Sequence, residues 1–69
     1  MYKYEVIVYW SEEDAEYIAE VPELPGCMAD GDTYEEALKN AQVVIGEWIE
    51  TARSCRREIP IPRGRLTYA

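Results

Sequence analysis

The sequence predicts an α+β fold in two layers, with an antiparallel three-stranded meander packed on one helix in the order β-β-β-α-β and a short C-terminal edge strand. Two observations carry this prediction. Apolar residues recur at steps of three and four between Thr33 and Ala52, which is the period of one helix face. Before that stretch, short alternating runs are separated by acidic, proline-containing or glycine-containing turns, as in a meander.

The length of 69 residues limits the chain to one domain, which we place at residues 1–62 with a short tail at 63–69. A core this small barely offsets the entropy of ordering, so we expect a homo-oligomer, either dimer or tetramer. Two cysteines without a signal peptide indicate a reducing cytoplasm. No apolar run approaches the ~20 residues that span a bilayer.

The chain is acidic, with a formal net charge of −7 from 14 Asp and Glu against 7 Lys and Arg. Such a domain is repelled by phosphate backbones, which argues against direct nucleic-acid binding, and is attracted to a basic protein. A purely solubilising role for the charge is an equally good interpretation.

The first strand is predicted from Tyr2 to Trp10, where alternate residues from Tyr2 through Val8 to Trp10 are apolar or aromatic and should meet the helix. The opposite face carries Ile7 and Tyr9, which indicates that a partner or second copy covers it.

An acidic turn, Ser11-Glu12-Glu13-Asp14, follows the first strand. Its spacing matches no calcium loop. We interpret it as a solvated turn or, less simply, as an electrostatic docking point for a partner.

The second strand is predicted at Glu16–Val21 and the third at Cys27–Ala29, with a proline-rich turn between them. Within that turn, Leu24 is expected to anchor the loop, and Gly26 supplies a backbone conformation that other residues avoid. Because the chain has no histidine to serve as a base, Cys27 is interpreted as a buried structural thiol.

The helix is predicted to begin at Thr33 with a capping box, in which the Thr33 hydroxyl accepts from the Glu36 amide and the Glu36 side chain reaches back to Thr33. After the helix, residues 58–62 alternate Ile and Pro and predict an edge strand. The predicted core face comprises Ala37, Leu38, Ala41, Val44, Ile45, Trp48, Ile49 and Ala52.

In its order of elements the chain resembles the HicB-like antitoxins of bacterial and archaeal toxin–antitoxin pairs. The resemblance is carried by Tyr17-Ile18-Ala19-Glu20-Val21-Pro22-Glu23-Leu24-Pro25-Gly26-Cys27, by Gly31-Asp32-Thr33-Tyr34-Glu35-Glu36-Ala37-Leu38-Lys39-Asn40-Ala41, and by Ile59-Pro60-Ile61-Pro62 as the closing strand. It covers nearly the whole chain, and the order and spacing of these pieces make it specific.

The resemblance implies that the partner is a small basic HicA-type toxin, which cleaves messenger RNA in that family. The antitoxin would bind the toxin and cover its RNA-binding or catalytic surface, in a type II system. Many members also carry a C-terminal DNA-binding domain. Residues 63–69 are too short for one, so only the N-terminal antitoxin domain is expected here.

Two other functions compete with the antitoxin hypothesis. A stand-alone HicB-like structural or regulatory oligomer fits the small size and the incompletely polar sheet face equally well. A metal-dependent nuclease using Glu5, Glu12, Asp14 and Asp30 lacks a converging set of acids. We therefore predict no enzyme activity, no cofactor, and no catalytic or metal residues. The predicted partner-binding residues are Ile7, Tyr9, Glu12, Glu13, Asp14, Glu23 and Leu24.

Overall fold

A computed structural model describes residues 3–62 of the chain. Within them, strands β1 (Ile7–Ser11), β2 (Glu16–Glu20) and β3 (Met28–Gly31) precede helix α1 (Tyr34–Ser54). The strands pair antiparallel in the order β1-β2-β3, and α1 lies on one face of the sheet, mainly over β3 and β2. The predicted α+β fold, a meander packed on one helix, is confirmed. The described helix is not long and apolar enough to cross a membrane.

Strand β1 is shorter than predicted, since it begins at Ile7 rather than Tyr2. Tyr2 lies outside the described residues. Tyr4 is buried in the core, and Val6 packs against it as the alternation predicts. Trp10 stays 45% exposed, because α1 lies over the other two strands and leaves the end of β1 uncovered.

The core consists of two clusters beneath the helix. The fully buried members of the cluster between α1 and β2 are all alanines, Ala19, Ala37 and Ala41, and these small side chains let the helix lie close to the sheet. The larger cluster lies near the middle of α1 and beside the proline-rich loop. Its buried members are Tyr4, Val21, Leu24, Cys27 and Ile45.

The proline-rich loop between β2 and β3 is closed by its own backbone. The Val21 amide donates to the Cys27 carbonyl at 3.0 Å, and the amides of Leu24 and Cys27 donate to Val21 and Leu24 carbonyls at 3.1 and 3.0 Å. Gly26 has a φ of 77°, in the left-handed region that favours glycine. Leu24 is fully buried inside this loop, which confirms its predicted role as an anchor.

Helix α1 begins one residue after Thr33, whose hydroxyl accepts from the Glu36 amide at 3.1 Å. The return half of the predicted capping box is different, because the Glu36 carboxylate accepts from the Asp32 amide at 3.3 Å. Leu38 is 37% exposed and is not part of the core. It lies at the margin of the apolar stripe, where a three-stranded sheet is too narrow to cover it.

Gly31 marks the closest approach of sheet and helix. A Cβ atom at this position would lie 2.5 Å from the Ala37 backbone nitrogen and 2.8 Å from the Glu36 carbonyl carbon. Only glycine fits there without displacing the start of α1.

The predicted Ile-Pro edge strand at residues 58–62 is not confirmed, because these residues form no strand. Pro60 and Pro62 have no N–H to donate to a ladder. The segment is held near the core by the Tyr4 hydroxyl, which donates to the Pro60 carbonyl, while Ile61 remains 83% exposed. The tail at 63–69 lies outside the described residues.

Candidate partner-binding surface

The outer face of the sheet, opposite α1, collects side chains from all three strands. The register places Ile7, Glu20 and Met28 in one row across the sheet. It places Tyr9, Ile18 and Asp30 in the next row, and Glu16 lies beside Ser11 at the end. We use the name outer face for these eight residues: Ile7, Tyr9, Ser11, Glu16, Ile18, Glu20, Met28 and Asp30.

An exposed apolar patch occupies this outer face. Ile7 is 42%, Tyr9 39% and Met28 48% exposed, and Ile18 lies between them on the central strand. Adjacent large apolar side chains on a small domain mark interaction surfaces, whereas scattered single ones do not. The structure thus brings the predicted contact residues Ile7 and Tyr9 together with two neighbours.

Acidic residues gather at one end of the outer face. The pKa of the Glu16 carboxyl is raised, first by a hydrogen bond with the Asp30 side chain, then by desolvation, and then by the negative charges of Asp30, Asp14 and Asp32. Like charges disfavour ionisation of a neighbour, and a shared proton relieves the repulsion. This end therefore carries a concentrated negative potential suited to a cationic group.

The acidic turn between β1 and β2 has a defined shape. The Asp14 amide donates to the Ser11 hydroxyl at 3.2 Å, and that hydroxyl donates to the Asp14 carboxylate at 3.1 Å. Glu12 and Glu13 are exposed at its tip. The turn extends the acidic end beyond the sheet, and the predicted contacts Glu12, Glu13 and Asp14 are accessible there.

The two predicted contacts from the proline-rich loop are placed differently. Leu24 is fully buried, so its side chain belongs to the core and is not available to a partner. Glu23 is half-buried, and its carboxylate lies 3.4 Å from the Glu5 amide nitrogen, which donates to it. Burial raises the pKa of Tyr4, and the negative charge of Glu23 raises it further.

The acids proposed for a nuclease do not converge. Among residues 3–62, no group of three or more His, Cys, Asp or Glu side chains is arranged to hold a metal ion.

The sequence reasoning missed Met28, Glu20 and Asp30 as members of this surface. Their strands were predicted, but the register that aligns them with Ile7 and Tyr9 was not. Ile18 lies on the same face because it lies opposite Tyr9 in the β1–β2 register.

Comparison with known proteins identifies the family. A model of the HicB_like antitoxin of bacterial toxin-antitoxin system matches residues 4–66. A UPF0150 protein of Synechocystis sp. is 37% identical over 57 residues, which cover 83% of this chain and 77% of that protein. A UPF0150 protein of Thermoplasma acidophilum is 41% identical over 58 residues, which cover 84% and 83% of the two chains.

A third relative is an uncharacterized protein of Haemophilus phage HP1, 41% identical over 44 residues that make up 64% of this chain and 33% of the phage protein. No solved structure matches the chain significantly. Because the family match spans nearly the whole sequence, this chain belongs to the HicB-like antitoxins of bacterial toxin–antitoxin systems.

Proposed function

We propose that the chain binds and neutralises a small basic HicA-type toxin that cleaves mRNA, as the antitoxin of a type II pair. The observation that carries the proposal is the outer face, where an exposed apolar patch borders a concentrated acidic end. Family membership supports a toxin as the kind of partner. The HicA-type identity rests on the resemblance and on charge.

In this proposal the acidic end and the apolar patch of the outer face contribute to toxin binding in different ways. An RNA-cleaving toxin needs a cationic surface to hold phosphates, and the carboxylates around Glu16 and Asp30 offer that surface a competing anionic partner. Burial of the patch around Tyr9 and Ile18 supplies affinity at about 25 cal/mol per Å² of apolar area. The net charge of −7 steers the encounter with a basic protein.

In this proposal the antitoxin neutralises the toxin by blocking its access to RNA. The antitoxin covers the toxin surface that RNA would occupy, and it contributes no catalysis and no cofactor. Residues 1–62 provide the binding domain and residues 63–69 a tail, in the cytoplasm where mRNA is found. The acidic turn at Glu12, Glu13 and Asp14 acts as an electrostatic contact, with Glu23 as a further one. The negative charge disfavours direct nucleic-acid binding.

Co-expression with any small basic protein that is encoded next to this chain's gene tests the proposal. We expect the wild type to co-purify with that protein and restore growth. Ile18→Asp places a charge in the centre of the patch and should weaken the complex about tenfold or more, with return of growth arrest. Val43→Asp puts the same charge on the exposed side of α1 and should behave as wild type.

Two results would overturn the proposal. One is full toxin activity in the presence of folded wild-type antitoxin. The other is Ile18→Asp binding as tightly as wild type, which would place the contact elsewhere.

The alternative is a stand-alone HicB-like oligomer with a structural or regulatory role and no toxin. The observation that favours it is a second exposed apolar site on α1, where Leu38 and Val43 line one shallow depression. A pull-down of the tagged chain from its own host separates the two. Recovery of the chain alone as a defined oligomer supports the alternative, and recovery of a small basic protein in a salt-resistant complex supports the antitoxin.

A further inference from the structure

A shallow groove of about 220 Å³ lies on the outer face between β2 and β3, lined by Ile18, Met28, Ala29 and Asp30. Met28 and Asp30 are two positions apart on β3, so their side chains stand on the same face with a gap between them. Ala29 packs against the alanine cluster on the helix side, which leaves its backbone as the floor of the gap. We call this feature the outer-face groove. Its size suits one long side chain of a partner rather than a whole helix.

The sides of the outer-face groove differ in polarity. Ile18 and Met28 provide apolar surface, and Met28 is 48% exposed. Asp30 is exposed at one end, and its carboxyl group is hydrogen-bonded to that of Glu16 on the neighbouring strand. Apolar surface that leads to two carboxyl groups is complementary to a side chain with an aliphatic stem and a cationic head.

Arginine matches this groove better than lysine does. The carboxyl groups of Glu16 and Asp30 are joined by a shared proton, so together they present several oxygen atoms to one ligand. A guanidinium is planar and carries five N–H donors in a fixed fork, which allows it to bridge two carboxylates. A lysine ammonium is a compact charge that is more strongly hydrated.

Other occupants are less complementary to the outer-face groove. Within the described residues 3–62, no group of three or more His, Cys, Asp or Glu is arranged to hold a metal ion. A phosphate would be repelled by the negative charge of Asp30 and Glu16. An apolar side chain alone would remove water from the Asp30 carboxylate without giving it a hydrogen-bond partner.

We propose that one arginine of the toxin inserts into the outer-face groove, with its stem on Ile18 and Met28 and its guanidinium bridging Asp30 and Glu16. The identity of the partner rests on the proposed antitoxin function. The guanidinium replaces the proton that the two carboxyl groups share, and that proton goes to the solvent. Because arginine is also well suited to holding RNA phosphates, its capture in the groove would compete directly with RNA.

Titration of the chain alone with N-acetyl-arginine amide tests the groove without a toxin. We expect shifts in the NMR signals of the Ile18 and Met28 methyl groups and of the Asp30 backbone amide. N-acetyl-citrulline amide has nearly the same shape but no charge and should leave these signals unchanged. N-acetyl-lysine amide should bind more weakly than the arginine compound.

Two variants separate a specific contact from general charge attraction. Asp30→Asn keeps the shape of the side chain and the backbone carbonyl that accepts from Asn40, and it should raise the dissociation constant of the arginine compound about fivefold or more. Glu50→Gln removes one negative charge from an exposed position on α1, on the opposite side of the sheet, and should leave binding unchanged. The dispersion of the amide spectrum shows whether each variant is folded.

The same two variants test the contact in the complex. Asp30→Asn should raise the rate at which a co-purified toxin dissociates about fivefold or more, whereas Glu50→Gln should leave that rate unchanged. In the toxin, lysine in place of the inserted arginine should have the same effect as Asp30→Asn, and in combination with Asp30→Asn it should add little.

Three results would overturn the proposal. The first is equal shifts with the arginine and citrulline compounds, or no shifts with either. The second is a complex that dissociates from Asp30→Asn as slowly as from wild type. The third is movement of the same signals when Arg63 and Arg65 of this chain are replaced by serine, which would identify the chain's own tail as the occupant.

The antitoxin function and the arginine contact fail in different ways. If no toxin binds wild-type chain, the antitoxin function is refuted, and the toxin as the source of the arginine is refuted with it. If a toxin binds and is neutralised but Asp30→Asn has no effect, only the arginine contact is refuted.

Discussion

The indole N–H of Trp48 donates a hydrogen bond to the carbonyl oxygen of Pro25 at 3.0 Å. This bond joins the middle of α1 to the proline-rich loop, at the place where Leu24 enters the core. The half-buried Trp48 ring also packs against the larger core cluster. One side chain thus fixes the loop to the helix by both a polar and an apolar contact.

The two contributions of Trp48 can be separated by substitution. Trp48→Phe removes the donor but keeps an aromatic ring, so we expect a loss of about 0.5–1.5 kcal/mol in the free energy of unfolding. Trp48→Ala also removes the packing and should cost ~3–5 kcal/mol, comparable to the whole stability of a domain this small. Urea unfolding followed by circular dichroism measures both. A cooperative, near-unchanged transition in Trp48→Ala would contradict the core assignment.

Substitution by asparagine should change the stability of the protein differently at Gly26, in the proline-rich loop, and at Gly31, just before α1. Gly26 has open space around it and a left-handed φ that strains any side chain but asparagine least, so Gly26→Asn should cost no more than about 1 kcal/mol. At Gly31 any Cβ meets the Glu36–Ala37 backbone, so Gly31→Asn should cost about 1–3 kcal/mol or more. Thermal unfolding of the pair provides the comparison, and equal melting temperatures would disprove the steric account.

Glu16 should make the protein less stable at neutral pH than at mildly acidic pH. Because its pKa is raised above the ordinary 4.5, its contribution to stability is full below that value and is lost as the pH rises through the folded-state pKa. Glu16→Gln should therefore be more stable than wild type at about pH 7 and show a flatter rise in stability as the pH falls toward 4.5. Denaturant midpoints at both values test this. Glu47→Gln removes one charge from the exposed side of α1, and if it gave the same effect, general charge reduction would be the cause.

The two cysteines should differ sharply in reactivity. Cys27 is buried and desolvation raises the pKa of its thiol, so little nucleophilic thiolate is present and access is blocked. Cys55 is exposed beyond the end of α1. Iodoacetamide should label Cys55 in the folded protein and Cys27 only after denaturation, as peptide mass spectrometry would reveal. Equal labelling of both under native conditions would contradict the burial of Cys27.

The helix and its start could be predicted from sequence because the signals are local. The Thr33 cap and the spacing through Ala37, Ala41 and Ile45 depend on residues within a few turns of one another. Leu38 was misassigned because its burial depends on how wide the sheet is, which the helical spacing does not contain. Trp10 was assigned correctly to the face toward α1, yet its exposure depends on where the helix crosses the sheet.

The candidate surface was predicted only in part. Alternation in β1 is sufficient to place Ile7 and Tyr9 on the face away from the helix. Met28 and Asp30 join them through the β2–β3 register, which depends on the length and internal bonding of the proline-rich loop. Leu24 was predicted both to anchor the loop and to contact the partner. Its full burial is compatible with anchoring the loop but not with contacting a partner.

The closed backbone of the proline-rich loop has a consequence for proteolysis. An endoprotease must draw several residues into an extended conformation in its cleft, but the loop's amides at Val21, Leu24 and Cys27 are bonded within the loop. Extension would also pull Leu24 out of the core. The loop is therefore a poor cleavage site despite its exposed prolines, and degradation of the folded chain should begin at another site.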